Sequence, residues 1–164
     1  MKKILCIVVM ASVCVMMSCN GKLGNNKEKE KTPEEMKMIS ELKENHKALI
    51  DNYKNAIDSA EHYYNRAKYS KQLSVQNYNV QKGMTFLEPT NIEDSFSRRN
   101  SEIEKYFKDD KEVTELCAKQ NAEQDSLRKR RTELYTQLEK EHDILEKLIL
   151  NEEKLQLIES NKKL

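Results

Sequence analysis

From Thr90 to Leu164 the chain contains neither glycine nor proline. Such a run lacks the residues that set up tight reversals, so it cannot supply the frequent turns of a β-fold. Its apolar residues instead recur at steps of three and four or their sums: Ile92, Phe96, Ile103, Tyr106, Val113, Cys117, Leu127, Leu134, Leu138, Leu145, Leu148 and Leu155. This is the period of one face of an α-helix. The same register carries Arg99, Asp110, Gln120, Gln124, Arg131, Glu141 and Glu152, so the stripe reads as an imperfect coiled-coil seam. Asp109 and Asp110, following Phe107, suit the cap of a fresh helix and predict a kink or the start of a third helix near residue 109.

An earlier helix opens at Thr32-Pro33-Glu34-Glu35, where Thr32 can cap, proline suits the first helical position and Glu35 completes a capping box. Its apolar stripe runs through Ile39, Leu42, His46, Leu49, Tyr53, Ala56, Ala60, Tyr63 and Ala67, widened by Ile50, Ile57 and Tyr64. The pattern thins after Tyr69 and stops near Gly83, and Pro89 follows, so a turn is expected between about 82 and 90. Thr90 with Glu93 offers a second capping box, with Asn91 as an alternative cap. Two helices with a short connection pack antiparallel. The expectation is therefore an all-α fold, a long antiparallel hairpin with a coiled-coil-like seam. Folding near residue 86 would set Ala60 beside Val113, Ala56 beside Cys117 and Ile39 beside Leu134.

A hairpin of this kind leaves the chain beyond about residue 141 without a partner. That stretch is the most apolar after the N-terminal segment, and Ile144, Leu145, Leu148, Ile149, Leu155 and Ile158 are the candidate partner-binding residues, for another protein or for a second copy.

The first residues carry an address. Lys2 and Lys3 precede an apolar run from Ile4 to Met17, too short for a bilayer-spanning helix of about 20 residues and built like an export signal. It closes as Val15-Met16-Met17-Ser18-Cys19, which resembles the lipobox of bacterial lipoproteins, with Met where leucine is commonest. The resemblance covers residues 1–19 only. It implies cleavage before Cys19, with that cysteine carrying diacylglycerol and an N-acyl chain. Several acyl chains at about 0.8 kcal/mol per buried methylene make such an anchor effectively permanent. Asn20 is not the aspartate that commonly retains these proteins at the inner membrane, and residues 20–24 lack acidic side chains; by the same resemblance the outer membrane, facing the periplasm, is the expected place. The organisation expected is a signal peptide over 1–18, a lipidated cysteine and polar tether over 19–31, and a helical hairpin domain over 32–164. The tether can reach at most about 40 Å when extended.

Basic and acidic side chains number 29 and 28. That balance gives no basic excess for nucleic acid. Cys6 and Cys14 lie in the signal and Cys19 at its end, which leaves Cys117 as a lone thiol, read as a buried apolar group or an intermolecular link. Glu139 and His142 have the spacing of half a di-metal site, but no second Glu-x-x-His exists, so no metal or cofactor is assigned. Arg128-Lys129-Arg130-Arg131 reads as a solvated basic face, and the tyrosines at 53, 63, 64, 69 and 78 as packing residues. No phosphate loop, nucleophile elbow or cysteine pair is present, so the chain is read as non-catalytic. The expected function is a lipid-anchored helical scaffold or adaptor, with a chaperone-like binding module and a metal-binding helical protein as alternatives. No small-molecule substrate is evident.

Overall fold

The computed structural model describes residues 30–162, and all regular structure among them is helical: α1 (Pro33–Tyr69), α2 (Leu73–Leu87), α3 (Asn91–Tyr106) and α4 (Lys111–Asn161). The compact unit begins at Lys31. The signal segment and Cys19 lie outside the described residues.

The capping box at Thr32 forms as its sequence predicts. The Thr32 hydroxyl accepts from the Glu35 amide (3.2 Å) and the Glu35 carboxylate accepts from the Thr32 amide (2.7 Å). The break near residue 109 also forms, with Asp110 capping α4 through the Val113 amide. The first reversal, however, comes earlier than the hairpin expectation: α1 ends at Tyr69 and a Ser70-Lys71-Gln72 turn sends α2 back along it. Ser70 accepts from the Gln72 amide, and Gln76 reaches back to the Ser70 carbonyl, so this turn is closed by hydrogen bonds without glycine or proline.

The 82–90 region is a joint within the returning arm. Gly83 lies buried inside α2, where a Cβ would meet the Ala60 carbonyl oxygen at 3.3 Å and Leu138 at 3.4 Å. It marks a close helix crossing. The chain bends only at Glu88-Pro89-Thr90, where proline removes an amide and α3 starts.

Partner numbers reveal the directions. Along α1, His46, Glu61 and Tyr64 meet Glu123, Arg130 and Gln137 of α4, so these helices are parallel. Glu41, Asn45 and Asn52 meet Arg99, Asn100 and Thr90, so α3 runs antiparallel to α1. The fold is thus an up-down-up bundle of three arms, α1, the bent α2–α3 and α4. The pairings of Ala60 with Val113 and Ile39 with Leu134 do not form, because the arm bent at residues 88–90 is interposed and reverses the direction of α4.

Two apolar clusters hold the bundle. One joins Ile57, Ala60, Ala67, Val80, Leu87, Leu134, Leu138 and Leu145. The other, nearer the Lys31 end, joins Leu42, Ile103, Phe107, Val113 and Cys117. Each fully buried leucine or isoleucine contributes about 1.5–3 kcal/mol. Between the clusters α1 buries Leu49, Ile50 and Tyr53, while α4 contributes the buried polar residues Gln120 and Arg131, and His46 bridges to Glu123 (2.9 Å) and Gln124 (3.0 Å). Of the polar residues that interrupt the seam in sequence, Gln120 is therefore buried, and Arg99, Gln124 and Arg131 have partners on neighbouring helices, in Glu41, His46 and Glu93.

Candidate functional site

α4 outlasts its neighbours. Leu145 is its last buried residue, packed in the cluster with Leu138 and Ala67 near the end of α1. Beyond it the helix continues to Asn161 with every side chain exposed except the half-buried Ile149. No glycine or proline stops it, and Leu, Glu and Lys favour a helix even where nothing packs against it.

This extension carries the largest group of exposed apolar side chains. Ile144 is 54% exposed, Leu148 45%, Leu155 61% and Ile158 51%, with Leu150 and Leu157 exposed as well. Of the six residues singled out in the sequence, the structure brings Ile144, Leu148, Leu155 and Ile158 onto one stripe and leaves Ile149 half-buried off it. Leu145 is corrected: it faces the bundle as a core residue. The bundle-facing line through Leu138 and Leu145 reaches Glu152 next, so it turns polar as soon as the bundle ends.

The joint between α2 and α3 is the second feature. Arg131, expected on a solvated face, is 8% exposed. It donates to the Glu93 carboxylate at 2.5 Å and to the Glu88 carbonyl, and its guanidinium lies 5.7 Å from the centre of the Tyr53 ring. This explains why Thr90 and Glu93 form no capping box: Glu93 is held by Arg131, and the Thr90 hydroxyl accepts from Asn52 instead. Arg130 pairs with Glu61 at 2.6 Å and Arg128 with Asp125 at 3.4 Å. A cavity of about 460 Å³ beside the joint is lined by Leu87, Glu88, Pro89, Glu93, Arg128, Arg131, Thr132 and Tyr135. Its two arginines are matched by two glutamates, so it offers no net charge to a ligand.

A groove of about 610 Å³ lies at the other end, between α1 and α4, floored by Ile39, Val113 and Leu116 and edged by Lys43 and Lys119. Lys31 is already engaged there, with Glu112 at 2.8 Å and Asp110 at 3.3 Å. These contacts raise the lysine's pKa, and the Asp110 carboxyl is held below its ordinary value, first by the Val113 amide and then by Lys31.

Cys117 is buried and free, and burial together with nearby Glu104 pushes its thiol up to about 11. It is a packing residue. His142 contacts Gln81 at 2.9 Å. Among the described residues, one group places three potential ligand atoms within 4.8 Å of one another, His142 with Asp143 and Glu146, both carboxylates exposed and Glu139 not included. Of the tyrosines, Tyr53 is buried, Tyr63 stacks on Phe86 at 5.6 Å and Tyr64 accepts from Gln137, while Tyr69 and Tyr78 are exposed. Among the described residues no helix is long and apolar enough to cross a membrane. No family model, curated protein or solved structure matches the chain.

Proposed function

We propose that this chain is a lipid-anchored, non-catalytic scaffold or adaptor, attached through Cys19 to a bacterial outer membrane and facing the periplasm. One observation carries the reading. The compact unit is entered at Lys31, pinned to the start of α4 by Asp110 and Glu112, while the apolar extension leaves from the opposite end. A helix of 51 residues at 1.5 Å each extends about 75 Å. An anchor before Lys31 would therefore leave the bundle as a spacer, with the binding surface held away from the membrane.

The engaged charges support the same reading. Arg128, Arg130 and Arg131 at the joint and Lys31 at the opposite end are paired within the fold, whereas the extension carries the largest group of exposed apolar side chains. Its apolar side chains favour a protein partner over nucleic acid or a small substrate.

The test is metabolic lipid labelling with membrane fractionation of the native chain and of Cys19→Ala. Label and membrane residence should both disappear in the variant. An unlabelled, soluble native chain would contradict the anchor. Suppression of aggregation of several unrelated clients, through the same exposed stripe, would favour the chaperone-like alternative.

A further inference from the structure

The geometry points to self-assembly: the α4 extension forms a parallel, multi-stranded coiled coil with other copies of this chain. This rests on the reading above that the extension is the binding surface, and it specifies what binds there.

The exposed stripe is a heptad seam. Ile144, Leu148, Asn151, Leu155 and Ile158 follow one another by steps of four, three, four and three, which places Leu148 and Leu155 at a and Ile144, Asn151 and Ile158 at d. The seam starts where burial by the bundle ends, since Ile144 is exposed and Leu145 buried. The helix therefore changes its apolar face at the point where its own chain stops covering it.

The flanking columns choose the partner and its direction. Position e holds Glu152 and Glu159, and position g holds Lys147 and Lys154. When two copies lie parallel and in register, each g residue faces the e residue of the following heptad, so Lys147 meets Glu152 and Lys154 meets Glu159 of the neighbouring copy. In an antiparallel pair e faces e and g faces g, which sets glutamate against glutamate and lysine against lysine. The charge pattern is thus complementary to itself in one orientation only. That orientation also leaves the Lys31 ends of all copies on the same side, as anchorage in one membrane requires.

The seam residues set the strand number. Leucine at a with isoleucine at d favours trimers or tetramers over dimers. Leu150 and Leu157, at c beside the lysine column, widen the apolar face as a coil of more than two strands needs. Asn151, the one polar side chain in this seam, sits at d, and only an in-register alignment sets it beside its own copies rather than beside leucine or isoleucine.

The experiment uses residues 31–164, the compact unit that holds both apolar clusters. Sedimentation equilibrium should give a mass of about three to four chains. Leu155→Glu, far from the bundle, should sediment as a monomer with unchanged helical circular dichroism. Glu152→Lys with Glu159→Lys should weaken association at least about tenfold, and adding Lys147→Glu with Lys154→Glu should restore it, with salt blunting both effects. A monomer at every concentration would overturn the proposal and assign the face to a different chain. An oligomer indifferent to the charge columns would overturn the parallel arrangement, and a dimer the multi-stranded one. Residues 31–164 lack Cys19, so a monomer would leave the Cys19 result intact, and an unlabelled Cys19 would leave the association intact.

Discussion

Arg131→Met isolates the interior ion pair at the α2–α3 joint. Methionine keeps the length and helix preference of the arginine stem, so packing changes little. What is lost is the guanidinium that binds Glu93 at 2.5 Å and the Glu88 carbonyl. Removing one partner of a buried pair costs about 3–5 kcal/mol when the stranded charge cannot escape. The Glu93 side chain is 17% exposed and can rotate towards water, which places this pair at the lower end. Loss of the cation beside the Tyr53 ring adds about 0.5–1 kcal/mol. The expected total is about 3.5–4 kcal/mol, a large part of the 5–15 kcal/mol typical of a domain. With a urea slope of about 1–3 kcal/mol per molar, the midpoint of residues 31–164 should fall by about 1–4 M. Adding Glu93→Leu should recover most of the loss, because the exposed Glu88 carbonyl can turn to water and no charge is left stranded. A single variant within about 1 kcal/mol of the parent, or a double variant as unstable as the single, would refute the assignment of this pair as a buried joint.

Other consequences are as direct. Leu138→Ala, at a fully buried site against Gly83, should cost about 2–5 kcal/mol in the same urea assay. Cys117 should resist thiol reagents at pH 8 in the folded protein and react on unfolding, since its thiol titrates near 11; fast labelling of the native protein would show the site open. Stability should fall in acid. Asp110 is held below 3.8, first by the Val113 amide, and Glu41 below 4.5, first by Arg99, so their contributions are complete above about pH 5 and are lost as pH drops through the lower folded values. Asp110→Asn should be less stable at pH 7 and should show a shallower decline between about pH 5 and 2.

The all-α class was legible from residues 90–164 alone, because the absence of glycine and proline and the three-four spacing admit no other regular structure. Thr32 with Glu35 and Asp110 with Val113 were legible as caps, since capping depends on a few adjacent residues. The arrangement of arms was less so. Ser70-Lys71-Gln72 contains no glycine or proline, and its reversal is closed by hydrogen bonds that many polar sequences can make. Gly83 suggested a turn, but its missing side chain serves the approach of Ala60 and Leu138, a tertiary reason with no local signature. That early reversal changes α4 from antiparallel to parallel with α1. The uncovered C-terminal stretch survived the change, because it follows from the length of α4 against that of its neighbours. Leu145 was misread because the level at which α1 ends depends on the arm order. Arg131 was hidden in a basic run, and only its place on the seam register, shared with Gln120, hinted at burial.

The proposed division of the molecule into a self-sufficient bundle and an extension that binds other copies is tested most directly by truncation after Glu146, which spares Leu145. Residues 31–146 should melt cooperatively, with the helical circular dichroism expected after loss of the extension alone, and should sediment as a monomer where residues 31–164 associate. A truncated protein that no longer folds, or one that associates as the longer chain does, would contradict the division.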